Sequence, residues 1–258
     1  MPVDLSPRPT PRDEIVVYPL GLDDVGVDAF VTTRAGGVSE GPYASLNLGE
    51  HVGDDPARVA ENRRRVARAA GVDPGDLVTV RQVHGTDLAE VRAGGPRPLE
   101  ADGLVTEDPE VAVAVLSADC VPLVLVDPDR GRIAVVHAGW RGLAAGMIER
   151  AVASLAPATR LEVAVGPAIA GAAYQVGPEV AAHFAEVPGA VRPDVGDRSR
   201  LDLVTVVHHR LLACGVADGS LRILRASTDA DPTLFSDRAE RPCGRQALVA
   251  RRRTMGPS

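Results

Sequence analysis

The sequence contains no lysine: all 28 of its basic residues are arginine, and asparagine and isoleucine are scarce as well. A bias of this kind runs through the whole chain, so arginine standing where lysine would serve carries little functional information. Aromatic residues make up only 3%, and the 45% apolar content rests mainly on alanine, valine and leucine. No apolar run is long enough to span a bilayer. Nothing near the N-terminus joins a basic start to such a run, so neither a membrane anchor nor a signal peptide is expected. The three cysteines, Cys120, Cys214 and Cys243, cannot all pair, which excludes a disulfide scaffold and points to a reducing cytoplasm. Excess positive charge is also missing. With a net charge of -7 the chain has no global field to hold nucleic acid or an anionic membrane.

What is present reads as a folded domain. A length of 258 residues with 24% charged side chains suits one large domain or two small ones with a real core. Residues 1–14, rich in proline, read as a loose lead-in. Short β-branched runs between turn signals predict strands at Ala29–Thr33, Leu77–Val83, Val111–Leu116, Leu123–Val126, Ile133–Val136 and Leu161–Val165. The continuously apolar ones are expected to be buried on both faces. A helix is predicted from Pro56, capped by Asp55 and stopped by Gly71. Its Arg63-Arg64-Arg65 run reads as a solvated face. A second helix is expected after Gly142, with Leu143, Met147, Ala151 and Leu155 on one side, and two more near Pro178–Phe184 and Leu203–Ala213. No repeat or linker divides the interior, so a single α+β domain is expected over 15–250, with 251–258 as a tail.

Among six histidines, His84 and His137 stand out, because each follows a predicted strand and leads into a glycine-containing turn. Cys120 has the same setting before Pro122. Side chains at strand ends are presented to clefts. Two imidazoles and a thiolate suit Zn²⁺ and leave one coordination position open, as in a catalytic site. The 36 and 17 residues separating them match no local metal motif, so half-buried histidines and a structural cysteine remain the bland alternative.

Around this trio, Gly139, Arg141 and Gly142 follow a strand and open a helix, an arrangement that suits an anion or merely a tight connection. Arg34, before Gly36-Gly37, and Asn47, one of two asparagines, admit the same two readings. Asp87, Asp102 and Asp119 are candidates to orient an imidazole or to move protons. His51, His183, His208 and His209 have weaker claims. Cys214 and Cys243 lack a nearby partner histidine and read as structural.

Taken together, Thr32-Thr33-Arg34-Ala35-Gly36-Gly37-Val38-Ser39, Ser45-Leu46-Asn47-Leu48-Gly49, Gln82-Val83-His84-Gly85, Ala118-Asp119-Cys120, His137-Ala138-Gly139-Trp140-Arg141-Gly142 and Gly166-Pro167-Ala168-Ile169 resemble the polyphenol oxidase, or laccase-domain, family. That family was first described as multicopper oxidases and is now described as purine nucleoside phosphorylases with adenosine deaminase activity. The resemblance runs in order from about residue 28 to 245. It implies mixed β-sheets at the centre of a compact α+β domain, flanked by helices. It also implies a catalytic zinc held by His84, Cys120 and His137, and a nucleoside and phosphate as small-molecule partners. Gln82 and Tyr174 match positions near the nucleoside, and Arg34, Asn47 and Arg141 match positions for phosphate or ribose. A monomer or small homo-oligomer is expected. The chain departs from the family's pattern near its C-terminus, where Ala226 replaces a cysteine and Leu234-Phe235-Ser236-Asp237-Arg238-Ala239-Glu240 keeps only the first of two adjacent arginines.

Three rival readings use the same residues. Copper in place of zinc would make a polyphenol oxidase, but no His-x-His pair exists for a trinuclear oxygen-reducing centre. Cys120 as a nucleophile with His84 or His137 as base would make a hydrolase of a cell-wall or peptide substrate. Loss of catalysis through the C-terminal departures would leave a zinc-binding protein. For deamination the H-x-E and P-C-x-x-C signature of nucleobase zinc deaminases is absent, so another group must shuttle the proton.

Overall fold

The computed structural model describes residues 1–97, 100–155 and 157–253. The first part of the chain holds β1 (Val3–Leu5), β2 (Thr10–Arg12), β3 (Ile15–Pro19), β4 (Val27–Thr32) and helix α1 (Pro56–Ala70). Next come β5 (Leu77–Val78), β6 (Leu88–Glu90), β7 (Gly103–Thr106), β8 (Ala112–Ser117), β9 (Val121–Asp127) and β10 (Arg132–Ala138). Helices α2 (Trp140–Ala144) and α3 (Met147–Ser154) precede β11 (Glu162–Val165), β12 (Gln175–Val176) and α4 (Pro178–Ala181). The chain closes with β13 (Val191–Pro193), β14 (Ser199–Leu201), α5 (Leu203–Ala213), β15 (Leu221–Leu224), α6 (Asp237–Glu240) and β16 (Gln246–Arg252).

Among the described residues the strands form a seven-stranded sheet, β1-β15-β11-β9-β10-β7-β6, and a six-stranded sheet, β2-β3-β4-β16-β8-β5, with β12-β14-β13 as a small third. Both large sheets mix parallel and antiparallel pairs. Strand side chains alternate between faces, and the two large sheets use both. Val124, Val126, Ile133 and Val135 of the seven-stranded sheet meet Val113, Val115, Leu248 and Ala250 of the six-stranded one. The opposite face of β9 and β10, with Leu123, Leu125 and Val136, is covered by α3 and α5. Beyond the six-stranded sheet, Ala112, Ala114 and Val249 are covered by α1 through Val66, Ala69 and Ala70. Four layers result, which is why β8, β9 and most of β10 read as unbroken apolar runs and are buried throughout.

Helix α1 spans the predicted residues, with the Asp55 side chain accepting from the Ala57 N–H and Gly71 closing it at a φ of 71°. The helix expected after Gly142 instead begins at Trp140 and is interrupted before Met147, where Gly146 takes a φ of 91°. The strand expected over Leu77–Val83 ends at Val78, because the following residues leave the sheet to line a cleft. The lead-in is not loose: β1 pairs in parallel with β15, and β2 pairs antiparallel with β3. Backbone pairing at a sheet edge needs no apolar side chain and tolerates Pro11. At the other end Arg251 and Arg252 belong to β16 rather than to a tail. Residues 254–258 lie outside the described residues.

Candidate metal centre and cleft

His84, Cys120 and His137 come from three chain segments, and one potential ligand atom from each lies within 4.8 Å of the others. His137 is the penultimate residue of β10, on the same side as Ile133 and Val135, the face turned toward the six-stranded sheet. Cys120 sits in the turn from β8 to β9, and the register His137↔Pro122 brings that turn beside β10. Asp119 just before it has a φ of 94°, and His84 has a φ of 60°. Such backbone conformations are unfavourable for residues with a Cβ and persist only where surrounding contacts impose them.

For His84 the imposing group is Asp102, fully buried at the head of β7. Its carboxylate accepts the backbone N–H groups of Val83 at 3.1 Å, His84 at 2.9 Å and Gly85 at 2.6 Å, together with His137 Nδ1–H at 3.0 Å. Burial by itself would raise the Asp102 pKa, but the hydrogen bonds from His137, Gly85 and Val83 outweigh it and hold the group below its ordinary value. One carboxylate therefore shapes the His84 loop and sets the His137 tautomer, leaving Nε2 free as a donor atom. Burial pushes the Cys120 thiol up, but the two neighbouring imidazoles more than offset it and favour the thiolate. The same coupling favours protonated His137 in the metal-free chain, against its own burial.

The donor set fits a borderline-soft cation: two ring nitrogens and one sulfur prone to ionise, with a carboxylate on the far ring nitrogen of His137, as metal-bound histidines generally have. The rings of His84 and His137 stand edge to face, 4.9 Å apart. Close approach of the next turn depends on Gly139, where a Cβ would lie 3.0 Å from both Cys120 Sγ and His84 Cδ2. Among the described residues no second group of three or more His, Cys, Asp or Glu side chains converges in this way. A trinuclear copper centre therefore has no ligands there.

The trio borders a cleft of about 1050 Å³. Of the residues expected near substrate, Gln82, Arg141 and Tyr174 line it, whereas Arg34 and Asn47 do not. The Gln82 amide is engaged by the backbone of Leu116, accepting its N–H at 2.7 Å and donating to its C=O at 2.8 Å. Arg34 donates to the Ala44 carbonyl and to Glu240, and lies 4.6 Å from the Phe235 ring centroid. Asn47 is fully buried; its Oδ1 accepts the N–H groups of Gly49 and Arg245, and its Nδ2 donates to Asp54. Both hold loops together.

The remaining candidates separate in the same way. Asp119 accepts from Thr228, Ser236 and the Arg238 N–H at 2.6–2.7 Å, and so ties the C-terminal segment to the turn carrying Cys120. Asp87 is exposed and pairs with Arg150. His51 borders the cleft, where burial and the nearby charges of Arg245 and Arg63 lower its pKa. His183 lies 6.0 Å from the Trp140 ring and His208 is bound to Asp218; neither joins the trio. Cys243 is buried against the Gly244 carbonyl, and Cys214 packs at the edge of the helical core. Ala226 packs beside the inter-sheet core and Ala239 is exposed, both outside the cleft lining. Asp237 does line the cleft, where it is paired with Arg241 and Arg245.

Sequence reasoning missed most of the arginines around the cleft: Arg63, Arg81, Arg238, Arg241 and Arg245. Arg63 belongs to the run read as a solvated face, yet it reaches the Leu48 carbonyl and Glu50 at the cleft edge. In a lysine-free chain only the tertiary neighbourhood separates such a residue from surface arginines.

The family described as multi-copper polyphenol oxidoreductase laccase matches residues 28–253. A purine nucleoside phosphorylase of Corynebacterium glutamicum is 42% identical over 229 residues, covering 84% of this chain and 91% of that protein. A second, from Streptomyces coelicolor, is 43% identical over 224 residues with the same coverage. The crystal structure of YlmD from Geobacillus stearothermophilus superposes with a TM-score of 0.84 at 34% identity, covering 89% of this chain and 93% of that one. YfiH from Bacillus licheniformis superposes with a TM-score of 0.85 at 29% identity, covering 92% and 96%.

Proposed function

This chain belongs to the multi-copper polyphenol oxidoreductase laccase family, and from that premise we propose that it is a zinc-dependent enzyme of purine nucleosides, cleaving adenosine, inosine and guanosine with phosphate and also deaminating adenosine. The observation that carries the reading is the convergence of His84, Cys120 and His137 at a cleft with ample room for a nucleoside, with His137 oriented by a buried carboxylate. Relatives named purine nucleoside phosphorylase, at 42% and 43% identity over most of their length, support the substrate class.

In phosphorolysis an oxygen of hydrogen phosphate bonds to C1′ while the C1′–N9 bond breaks. The bonding pair leaves with the purine, which takes the proton that phosphate gives up, and the products are ribose 1-phosphate and the free base. In deamination water adds at C6 of adenine and ammonia leaves, giving inosine. Zinc held by His84, Cys120 and His137 would supply Lewis-acid polarisation and make water nucleophilic near neutral pH. The protein's own contribution is placement. Val83, Trp140 and Tyr174 offer apolar surface beside the trio for a base or ribose. The Tyr174 phenol stays protonated to about 12, chiefly through burial and then through the charge of Cys120, and can donate to a ribose hydroxyl. Asp102 accepts four N–H groups, and Asp119 accepts two hydroxyls and one N–H. They orient the site rather than shuttle protons.

The test is product analysis by mass spectrometry after incubation with adenosine or inosine, with and without phosphate and chelator. Free base with ribose 1-phosphate, and inosine from adenosine, are expected only while metal is retained; no product from zinc-loaded protein refutes the reading. A second reading has one observation in its favour: Cys120, His137 and Asp102 stand in the order nucleophile, base and orienting acid. A covalent acyl adduct on Cys120, trapped from a peptide-like substrate in metal-free protein, would favour that hydrolase.

A further inference from the structure

Among the residues bordering the cleft, Asp237, Arg238 and Arg241 come from one short segment, α6 and the turn after it. None of residues 237–242 is buried, although Phe235 and Ser236 before them and Cys243 after them are. The segment is a strap along one side of the cleft, anchored in the interior only at its ends and held between them by polar contacts. Most of these contacts are partly exposed: Glu240 pairs with Arg34, Asp237 pairs with Arg241 and Arg245, and Arg238 lies over the Tyr174 ring at 5.1 Å. Exposed ion pairs contribute little.

The exception is the tether to Asp119, a buried residue outside the strap. Its Oδ1 accepts the hydroxyls of Ser236 at 2.7 Å and Thr228 at 2.6 Å, and its Oδ2 accepts the Arg238 N–H at 2.7 Å. Hydrogen bonds to a charged group away from water are the strong ones. The seating of the strap therefore rests mainly on one side chain, and that side chain belongs to the residue before Cys120. Asp119 has a φ of 94°, which a residue with a Cβ keeps only where its contacts impose it. Those contacts are the three bonds on its carboxylate and the Ile169 N–H, which donates to its carbonyl at 3.0 Å. The same turn aims Cys120 at His84 and His137. A metal on Cys120 Sγ and a strap seated on the Asp119 carboxylate thus stabilise one unfavourable turn, and two events that favour the same conformation reinforce each other.

We infer that Asp119 is a positioning residue that couples the metal centre to the strap. Metal at the trio seats residues 236–241 and so completes one wall of the cleft, and a ligand held against that wall tightens the metal in return. The coupling rests on the nucleoside reading only for the identity of that ligand. It places the C-terminal segment, far from the trio in sequence, under the control of the thiolate turn.

The test is hydrogen–deuterium exchange, read by mass spectrometry over 236–241, on the full chain without metal and at saturating zinc. The amides of Arg238, Ala239 and Glu240 report on the strap, since Asp119 and Ser236 hold them. Wild type is compared with Asp119→Asn, which offers one acceptor oxygen in place of two, and with Ser236→Ala. The second variant removes bonds on the strap side only, so it decides the matter should Asp119→Asn fail to fold. Zinc should slow exchange of the strap about 5-fold or more in wild type and less than about twofold in either variant. A merely structural tether predicts faster exchange in both states with the zinc effect kept; that result, or a wild-type strap indifferent to zinc, overturns the coupling. In a second measurement, inosine without phosphate should tighten zinc, followed by chelator competition, more in wild type than in the variants. An effect of equal size in all three proteins also overturns it. Should zinc protect the strap in wild type alone while inosine fails to bind, the coupling stands and the nucleoside reading falls.

Discussion

Replacing Asp102 by asparagine isolates the group that organises the candidate metal centre without changing its size. The native carboxylate receives four N–H groups, His84 and His137 on Oδ1, Val83 and Gly85 on Oδ2. An amide offers one acceptor oxygen and one donor nitrogen. If the oxygen stays toward His137, the amide NH₂ confronts the N–H groups of Val83 and Gly85 and opens the loop that carries His84. If it flips, the NH₂ confronts His84 N–H and makes His137 accept at Nδ1, which moves the ring proton to Nε2 and removes that nitrogen as a metal ligand. Either arrangement disturbs one histidine, so zinc affinity should fall about 10- to 100-fold, or about 1.4–2.7 kcal/mol. Competition with a chromophoric chelator measures the affinity, and a thermal melt of both proteins checks that the fold is kept. Affinity within about threefold of wild type, in a variant that melts normally, would refute the claim that Asp102 sets both ligands.

Three further outcomes follow from the same geometry. Cys120→Ala should lose bound zinc, measured by plasma mass spectrometry, and with it both phosphorolysis and deamination; full activity in that variant would remove Cys120 from the site. Gly139→Ala places a methyl group 3.0 Å from Cys120 Sγ and His84 Cδ2, and should weaken zinc binding more than it lowers the melting temperature. Tyr18→Phe removes the hydroxyl that donates to Asp231 at 2.6 Å and should cost about 1–3 kcal/mol in urea unfolding. Burial and Asp231 raise the Tyr18 pKa from 10.0 to about 12, so below pH 10 both folded and unfolded chains keep the proton. As pH rises through that window the unfolded chain loses its proton first and wild-type stability declines, so the gap between wild type and Tyr18→Phe should narrow there.

Much of the fold is visible along the chain where local signals agree with tertiary demand. Asp55, Pro56 and Gly71 mark both ends of α1, and the apolar runs of β8, β9 and β10 announce strands covered on both sides. The less visible parts are set by partners distant in sequence. β16 reads Gln-Ala-Leu-Val-Ala-Arg-Arg, an unremarkable end to a chain, yet it lies between β4 and β8 at the heart of the six-stranded sheet. β1 and β2 are only three residues each and are held by pairing at sheet edges, β1 also by Leu5 packing against the inter-sheet core.

The candidate site divides along the same line. Residue chemistry was enough to single out His84, Cys120 and His137, because imidazole and thiolate carry their ligand character wherever the chain puts them; the expected strand-end setting holds for Cys120 and His137, whereas His84 lies in a bend beyond the end of β5. Which carboxylate would serve them was not written locally. Asp102-Gly103 looks like any turn, and only the pairing of β7 with β10 brings that carboxylate under both histidines. For the arginines the fold decides everything. Arg34 and Arg238 are chemically identical, and one spans two loops while the other faces the cleft, since burial, stacking and the nearest carboxylate are properties of neighbours that arrive from elsewhere in the chain.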